Sequence, residues 1–173
     1  MLDLFRQSIA NQYGAALKML EDCIGKCEPQ NWTAKVGQVA FWHVAYHVLF
    51  CTDMYLSASL AEFRPQPFHR ENYNFLERQP WPPFKKVVAD QPYDKPILLD
   101  YVATCRNKVI ESMRRETEAT LAGPSGFDWI PFPRAQLHLY NIRHIQHHTG
   151  GLGAFLGRTQ AKGAAWVGTD ALL

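Results

Sequence analysis

The chain lacks any apolar run approaching the roughly 20 residues that a membrane span needs, and no membrane association is expected. It also has little net charge. Eighteen basic residues stand against 16 acidic ones, a formal charge of +2. No basic run occurs; the densest pair, Arg114-Arg115, is followed at once by Glu116. A dedicated nucleic-acid binder needs a concentrated basic surface, so no nucleic-acid partner is expected. Cysteine is scarce, and the four present (Cys23, Cys27, Cys51 and Cys105) include no CxxC spacing. That spacing is the usual mark of a thiolate metal site or a redox pair. The four are expected as buried, reduced, small hydrophobes. The opening MLDLFRQSIA has no basic leader followed by an apolar core, so no secretion signal is expected and a cytoplasmic location is. Gly-rich phosphate loops, Ser-His-Asp motifs and a Cys-nucleophile context are absent. No segment reads as a strand, and there is no internal repeat.

What is present is helical periodicity. A length of 173 residues fits one domain, residues 1–173, with a sizeable core. Leu2, Phe5, Ile9, Tyr13, Ala16, Leu20 and Cys23 recur every three or four residues and predict a first helix over 2–27, ended by Pro29. Residues 36–60 predict a second, apolar on more than one side and therefore buried between neighbours. Residues 97–121 and 134–157 predict a third and a fourth, joined by a stiff aromatic connection over 127–133. Between the second and third lies a segment, 61–96, that holds seven of the eleven prolines interleaved with aromatic residues. Proline excludes long helices and central strands there. The aromatic content predicts an ordered excursion packed over the helices, with a short helix at 70–78. It would serve as a lid or a structural crossover. Gly150, Gly151, Gly153 and Gly157 predict close approach of another helix, and they fit a homodimer. The tail, 158–173, is expected to be irregular. Four long helices with one long crossover give an all-α fold of the four-helix-bundle type.

Five of the seven histidines fall in two clusters, His43-Val44-Ala45-Tyr46-His47 and His144-Ile145-Gln146-His147-His148. Each contains an i, i+4 pair. At about 100° per residue, that spacing puts two imidazoles on one helical face, about 40° apart. One such pair plus a histidine from a facing helix supplies three neutral nitrogen ligands and leaves a position open, as catalytic zinc sites do. The ligand candidates are His47, His144 and His148. His43 faces the same side as His47, one turn earlier. It is open to four roles: a further ligand, an outer partner, a general base, or a hydrogen bond to Asn141 or a backbone carbonyl. His147 is expected at an interface or the surface. His69 and His138 are expected to face solvent, without a role. No Glu lies within either pair, so the HExxH peptidase mechanism has no base here. The glutamates of a di-iron bundle are missing too.

The segments Trp42-His43-Val44-Ala45-Tyr46-His47-Val48-Leu49-Phe50 and His144-x-x-x-His148-Thr-Gly-Gly-Leu, in this order, resemble the second and last helices of the DinB/YfiT-like metalloenzyme family. The resemblance extends to the layout of four helices with a long crossover after the second. It implies a four-helix bundle carrying a divalent metal ion (Zn, Ni or Fe) on His47, His144 and His148, with His43 as the other claimant on the second helix. The family's usual Arg-Gly-Gln after the last histidine is here Thr149-Gly150-Gly151, so roles borne by those polar side chains do not transfer. The resemblance further implies thiol-dependent transfer or hydrolysis of a small-molecule substrate, with a low-molecular-weight thiol as partner. Tyr46, Asp53 or His43 would be outer partners of the ligands. Two other readings stand beside the enzyme. One is a non-catalytic, stress-associated bundle binding a metal or small ligand. The other is an interaction protein whose histidines only pack.

Overall fold

A computed structural model describes all 173 residues, and the chain is predominantly helical. Helix α1 spans Leu2–Lys26 and buries Ile9, Tyr13, Leu17, Leu20 and Ile24, the stripe its spacing dictates. It stops at Cys27, which is already extended, and Glu28 stays extended ahead of Pro29, because the residue before proline is pushed out of the helical region. Pro29 then opens a single helical turn, α2 (Pro29–Trp32).

Contrary to the expectation of no strand, a short hairpin follows. Strands β1 (Lys35–Val36) and β2 (Val39–Ala40) pair antiparallel, Val36 opposite Val39, around a two-residue loop. Gly37 turns that loop at φ +72°, the left-handed geometry that tight hairpins require and glycine tolerates. The hairpin takes the residues expected to start the second helix, so α3 runs from Phe41 to Leu56 instead of 36–60. Every residue of α3 is buried except His47 and Met54.

Residues 57–94 form the crossover. Its aromatic side chains do anchor it: Phe63, Tyr73 and Tyr93 are buried in the core. The short helix expected at 70–78 is not there. Asn72 sits at φ +68°, which breaks helical continuity, and the segment is a series of turns. Beyond it the chain folds back as a finger, held by Val87 N–H donating to the Glu77 carbonyl (3.0 Å) and Gln79 N–H to the Lys85 carbonyl (2.9 Å).

Helix α4 (Lys95–Arg115) is shorter than the expected 97–121 at its C-terminus. Glu116 is extended, and Thr117 starts a new helix, α5 (Glu118–Ala122), through a reciprocal capping box with Thr120. Helix α6 runs from Arg134 to Gln160 and ends at Ala161 in the left-handed conformation. The four long helices pack as α1 on α4 and α6, and α3 on α4 and α6.

The tail from 161 lies back along α1. Asp170 pairs with Arg106 at 2.8 Å. A Cβ at Gly14 would come within 2.4 Å of the Asp170 carbonyl oxygen, so glycine is needed where the tail crosses the helix. Of the α6 glycines, only Gly153 has helix α1 close by, with Cys23 Sγ 3.8 Å from where its Cβ would be. Ala164 of the tail comes closer to it still, at 3.2 Å, while Gly150, Gly151 and Gly157 face open space.

At the far end from the tail's start, a buried polar node joins α1, α5 and α6 to the C-terminal ends of α3 and α4. Arg134 donates through Nε to Glu116 Oε1 (2.9 Å) and through Nη1 to the Ser57 carbonyl (2.6 Å), closing the C-terminus of α3. His138, fully buried, bonds the same carboxylate oxygen at 3.2 Å, and its other ring nitrogen meets the Tyr13 hydroxyl at 3.3 Å. Thr120 donates to Glu116 Oε2 at 2.7 Å. Burial opposes ionisation of Glu116. The hydrogen bonds from His138, Thr120 and Arg134, with Arg134's charge, outweigh it and hold the carboxyl at about 2.

Candidate metal centre

The packing of α3 on α6 brings His47 of α3 against His144 and His148 of α6. The ring centroids lie 5.0 Å apart for His47 and His144, 5.0 Å for His47 and His148, and 4.7 Å for His144 and His148. One nitrogen of each ring can be chosen so that all lie within 4.8 Å of one another. The three side chains are half-buried. Burial is the main reason their protonation is suppressed. His47 falls to about 4, His144 to about 3 and His148 to about 4; repulsion from His43 adds to the shift of His47, and repulsion from His47 and His147 adds to those of His144 and His148. Near neutral pH all three are therefore uncharged, the form in which imidazole donates a lone pair.

His47 is also oriented. Its Nδ1–H donates to the Asn74 carbonyl at 2.7 Å, because a carbonyl can only accept. That fixes the tautomer with a bare lone pair on Nε2. This Nε2 lies 3.1 Å from Nε2 of His144. Two nitrogens bound to one tetrahedral ion at about 2.0–2.1 Å stand roughly 3.3 Å apart, so the spacing fits a shared cation. His144 Nδ1 is buried without a partner. The donor set is all imidazole with no carboxylate, which suits zinc, nickel or iron better than calcium or magnesium.

The other residues singled out in the sequence fall around this group. His43 is buried and stacks on Trp42, and its Nε2 meets the Tyr73 carbonyl at 2.8 Å. Of the four roles left open for it, a backbone carbonyl bond is the one the geometry displays. His147 is exposed and sits edge-on to His148 at 4.9 Å. Tyr46 bonds Nδ1 of His69 rather than a member of the group. Asp53 lies in a separate buried network, where it accepts from Tyr101 (2.9 Å), Gln66 (3.1 Å) and Lys108. The four cysteines are free and buried, and burial raises each thiol's pKa. Cys51 Sγ lies 3.8 Å from His47 Nδ1. Comparison of the chain with protein-family models, with curated proteins and with solved structures finds no match.

Contrary to expectation, neither His138 nor His69 faces solvent. His138 does not face solvent; it is sealed inside the Tyr13–His138–Glu116 chain. His69 is half-buried, stacked on Tyr46 and packed near Phe50.

Sequence reasoning missed the backbone of the crossover at Tyr73 and Asn74. Both carbonyls hold α3 histidines, and no side-chain pattern encodes them. It also missed the hairpin beside the site, for which Val36-Gly37-Gln38-Val39 was a usable signal. That hairpin and Leu76 of the crossover wall a cavity of about 320 Å³ that opens onto His148.

Proposed function

We propose that the chain is a metal-dependent enzyme of the DinB/YfiT-like four-helix-bundle type. In this reading His47, His144 and His148 hold one zinc, nickel or iron ion and support thiol-dependent transfer or hydrolysis of a small molecule. The observation that carries it is the convergence of three neutral imidazoles, one of them with its lone pair aimed inward by the Asn74 carbonyl. The pairwise packing of the four long helices supports the bundle reading. A divalent cation held there would supply Lewis acidity toward a thiol, water or carbonyl oxygen.

The chain's own residues do the rest. His47 is held in register by the crossover through the Asn74 carbonyl, and a cavity opens beside His148. A cytoplasmic setting, a low-molecular-weight thiol as co-substrate and assembly as a homodimer belong to the same reading. His43 serves in it as an outer partner that ties the crossover to α3.

The test is elemental analysis of protein purified without a metal-affinity tag, beside a His144→Ala/His148→Ala double variant. About one equivalent of zinc, nickel or iron in the native chain, lost in the variant, is the expected result. No metal in either, even after reconstitution, overturns the reading and leaves a bundle whose histidines only pack.

A further inference from the structure

The cavity beside His148 is one end of a longer groove. A second cavity of about 710 Å³ adjoins it, and the two share Gln38, Val39, Leu76 and Glu77 as lining. The hairpin forms one bank and the crossover finger the other. The chemistry along it is uneven. The walls of the larger cavity are apolar at Leu76, Phe84 and Val87, while its rim carries Lys35, Arg78 and Lys86. None of these three cations pairs with a carboxylate anywhere in the structure. Glu77, the one acidic residue lining the groove, also stands without an ion pair, at the junction of the two cavities. Three cations against one carboxylate leave the groove positive, in a molecule whose whole formal charge is only +2.

We infer that this groove binds a small organic anion, an aryl or alkyl carboxylate or phosphate, with its charged group at Lys35, Arg78 and Lys86 and its other end at His148. The apolar walls take the body of such a molecule, as ligand clefts commonly do. The unpaired cations attract the anion and fix its direction. This inference deepens the proposed function by naming the class of substrate, and it rests on that reading only for what happens at the histidine end. Glu77 opposes the anion's charge and biases the groove toward ligands whose negative group lies at the cationic end.

The experiment is calorimetric titration of the metal-free chain with 4-phenylbutyrate and with its uncharged analogue 4-phenylbutyramide. Metal-free protein keeps the carboxylate from binding simply to a cation at the histidines. The expected result is binding of the carboxylate about tenfold or more tighter than the amide at low salt, weakening as salt rises. The Lys35→Ala/Arg78→Ala/Lys86→Ala variant should lose about tenfold, from three exposed ion pairs of a few-fold each. Glu77→Gln, a nearly isosteric change at an exposed position, should gain a few-fold. Lys85→Ala, on the finger but off the groove, should bind as the native chain does. Equal affinity for acid and amide overturns the inference, as does an unchanged triple variant with native circular dichroism or a Glu77→Gln that binds no better. Repeating the titration on His144→Ala/His148→Ala separates the two ideas. Anion binding there, with no metal in the native chain, sinks the metal reading alone. Metal in the native chain without anion selectivity sinks the groove alone.

Discussion

Replacing Glu116 by alanine should destabilise the chain by about 3 kcal/mol at neutral pH and by far less in acid. Glu116 and Arg134 are each about 6% exposed at the side chain, so this ion pair has little access to water. Removing the carboxylate leaves the guanidinium buried without a counter-charge, a change that costs about 3–5 kcal/mol in comparable sites. Arg134 keeps its bonds to the carbonyls that end α3, which places the loss at the lower end. The protonation equilibrium gives a second route to the same figure. The carboxyl is held at about 2 against an ordinary 4.5. At about 1.4 kcal/mol for each tenfold change, that displacement is worth roughly 3 kcal/mol. The folded form has the lower value, so the contribution is fully present above about pH 4.5. It is lost as pH falls through 4.5 toward 2. Urea denaturation of both proteins at pH 7 and at pH 3 measures the difference directly. The comparison is made in a His138→Gln background, because Glu116 bonds His138 and raises its proton affinity, so that residue's own titration would not cancel. A difference below about 1 kcal/mol at pH 7, or one that stays the same at pH 3, refutes the reasoning.

Three further outcomes are expected. Zinc at about a hundredfold excess over its dissociation constant should stabilise the native chain by about 2.7 kcal/mol. That corresponds to a rise of roughly 5–10 °C in Tm for a chain of this size. The rise should vanish in His47→Ala, His144→Ala and His148→Ala but persist in His147→Ala, and differential scanning calorimetry reads it. Gly14→Ala should lift the tail off α1, because its Cβ meets the Asp170 carbonyl. Limited trypsin digestion should then cut at Lys162 far faster than in the native chain. Lys108→Met leaves the buried Asp53 with Tyr101 and Gln66 but without its cation. It should cost between about 2 and 4 kcal/mol by urea denaturation.

The sequence made the long helices readable because their apolar spacing is local and strong. It also made the three-histidine group readable, because each i, i+4 pair is a local fact and only the facing of two helices had to be supplied. What failed was mostly non-local. The pattern carries the third helix through Glu116 because nothing nearby reveals that this residue leaves the helix to meet Arg134, 18 positions later. His138 reads as solvent-facing because its partner Tyr13 is 125 positions away. The start of the second helix was a local error. A run of apolar residues from Val36 onward masked the hairpin signal of two valines around Gly37-Gln38. At 70–78, the left-handed turn at Asn72 overrode a weak helical pattern.

The bond from His47 to the Asn74 carbonyl has a consequence for how this centre can be altered. Its acceptor is main chain, so no side-chain exchange at position 74 can delete it. Only a change in the length or path of the excursion can. Inserting or deleting a residue between Phe63 and Tyr73 would release the ring to flip its proton to the other nitrogen, with all three histidines still in place. The protonation of this histidine group is thus written partly in loop length, and a search for variants that alter it belongs among insertions and deletions as much as among substitutions.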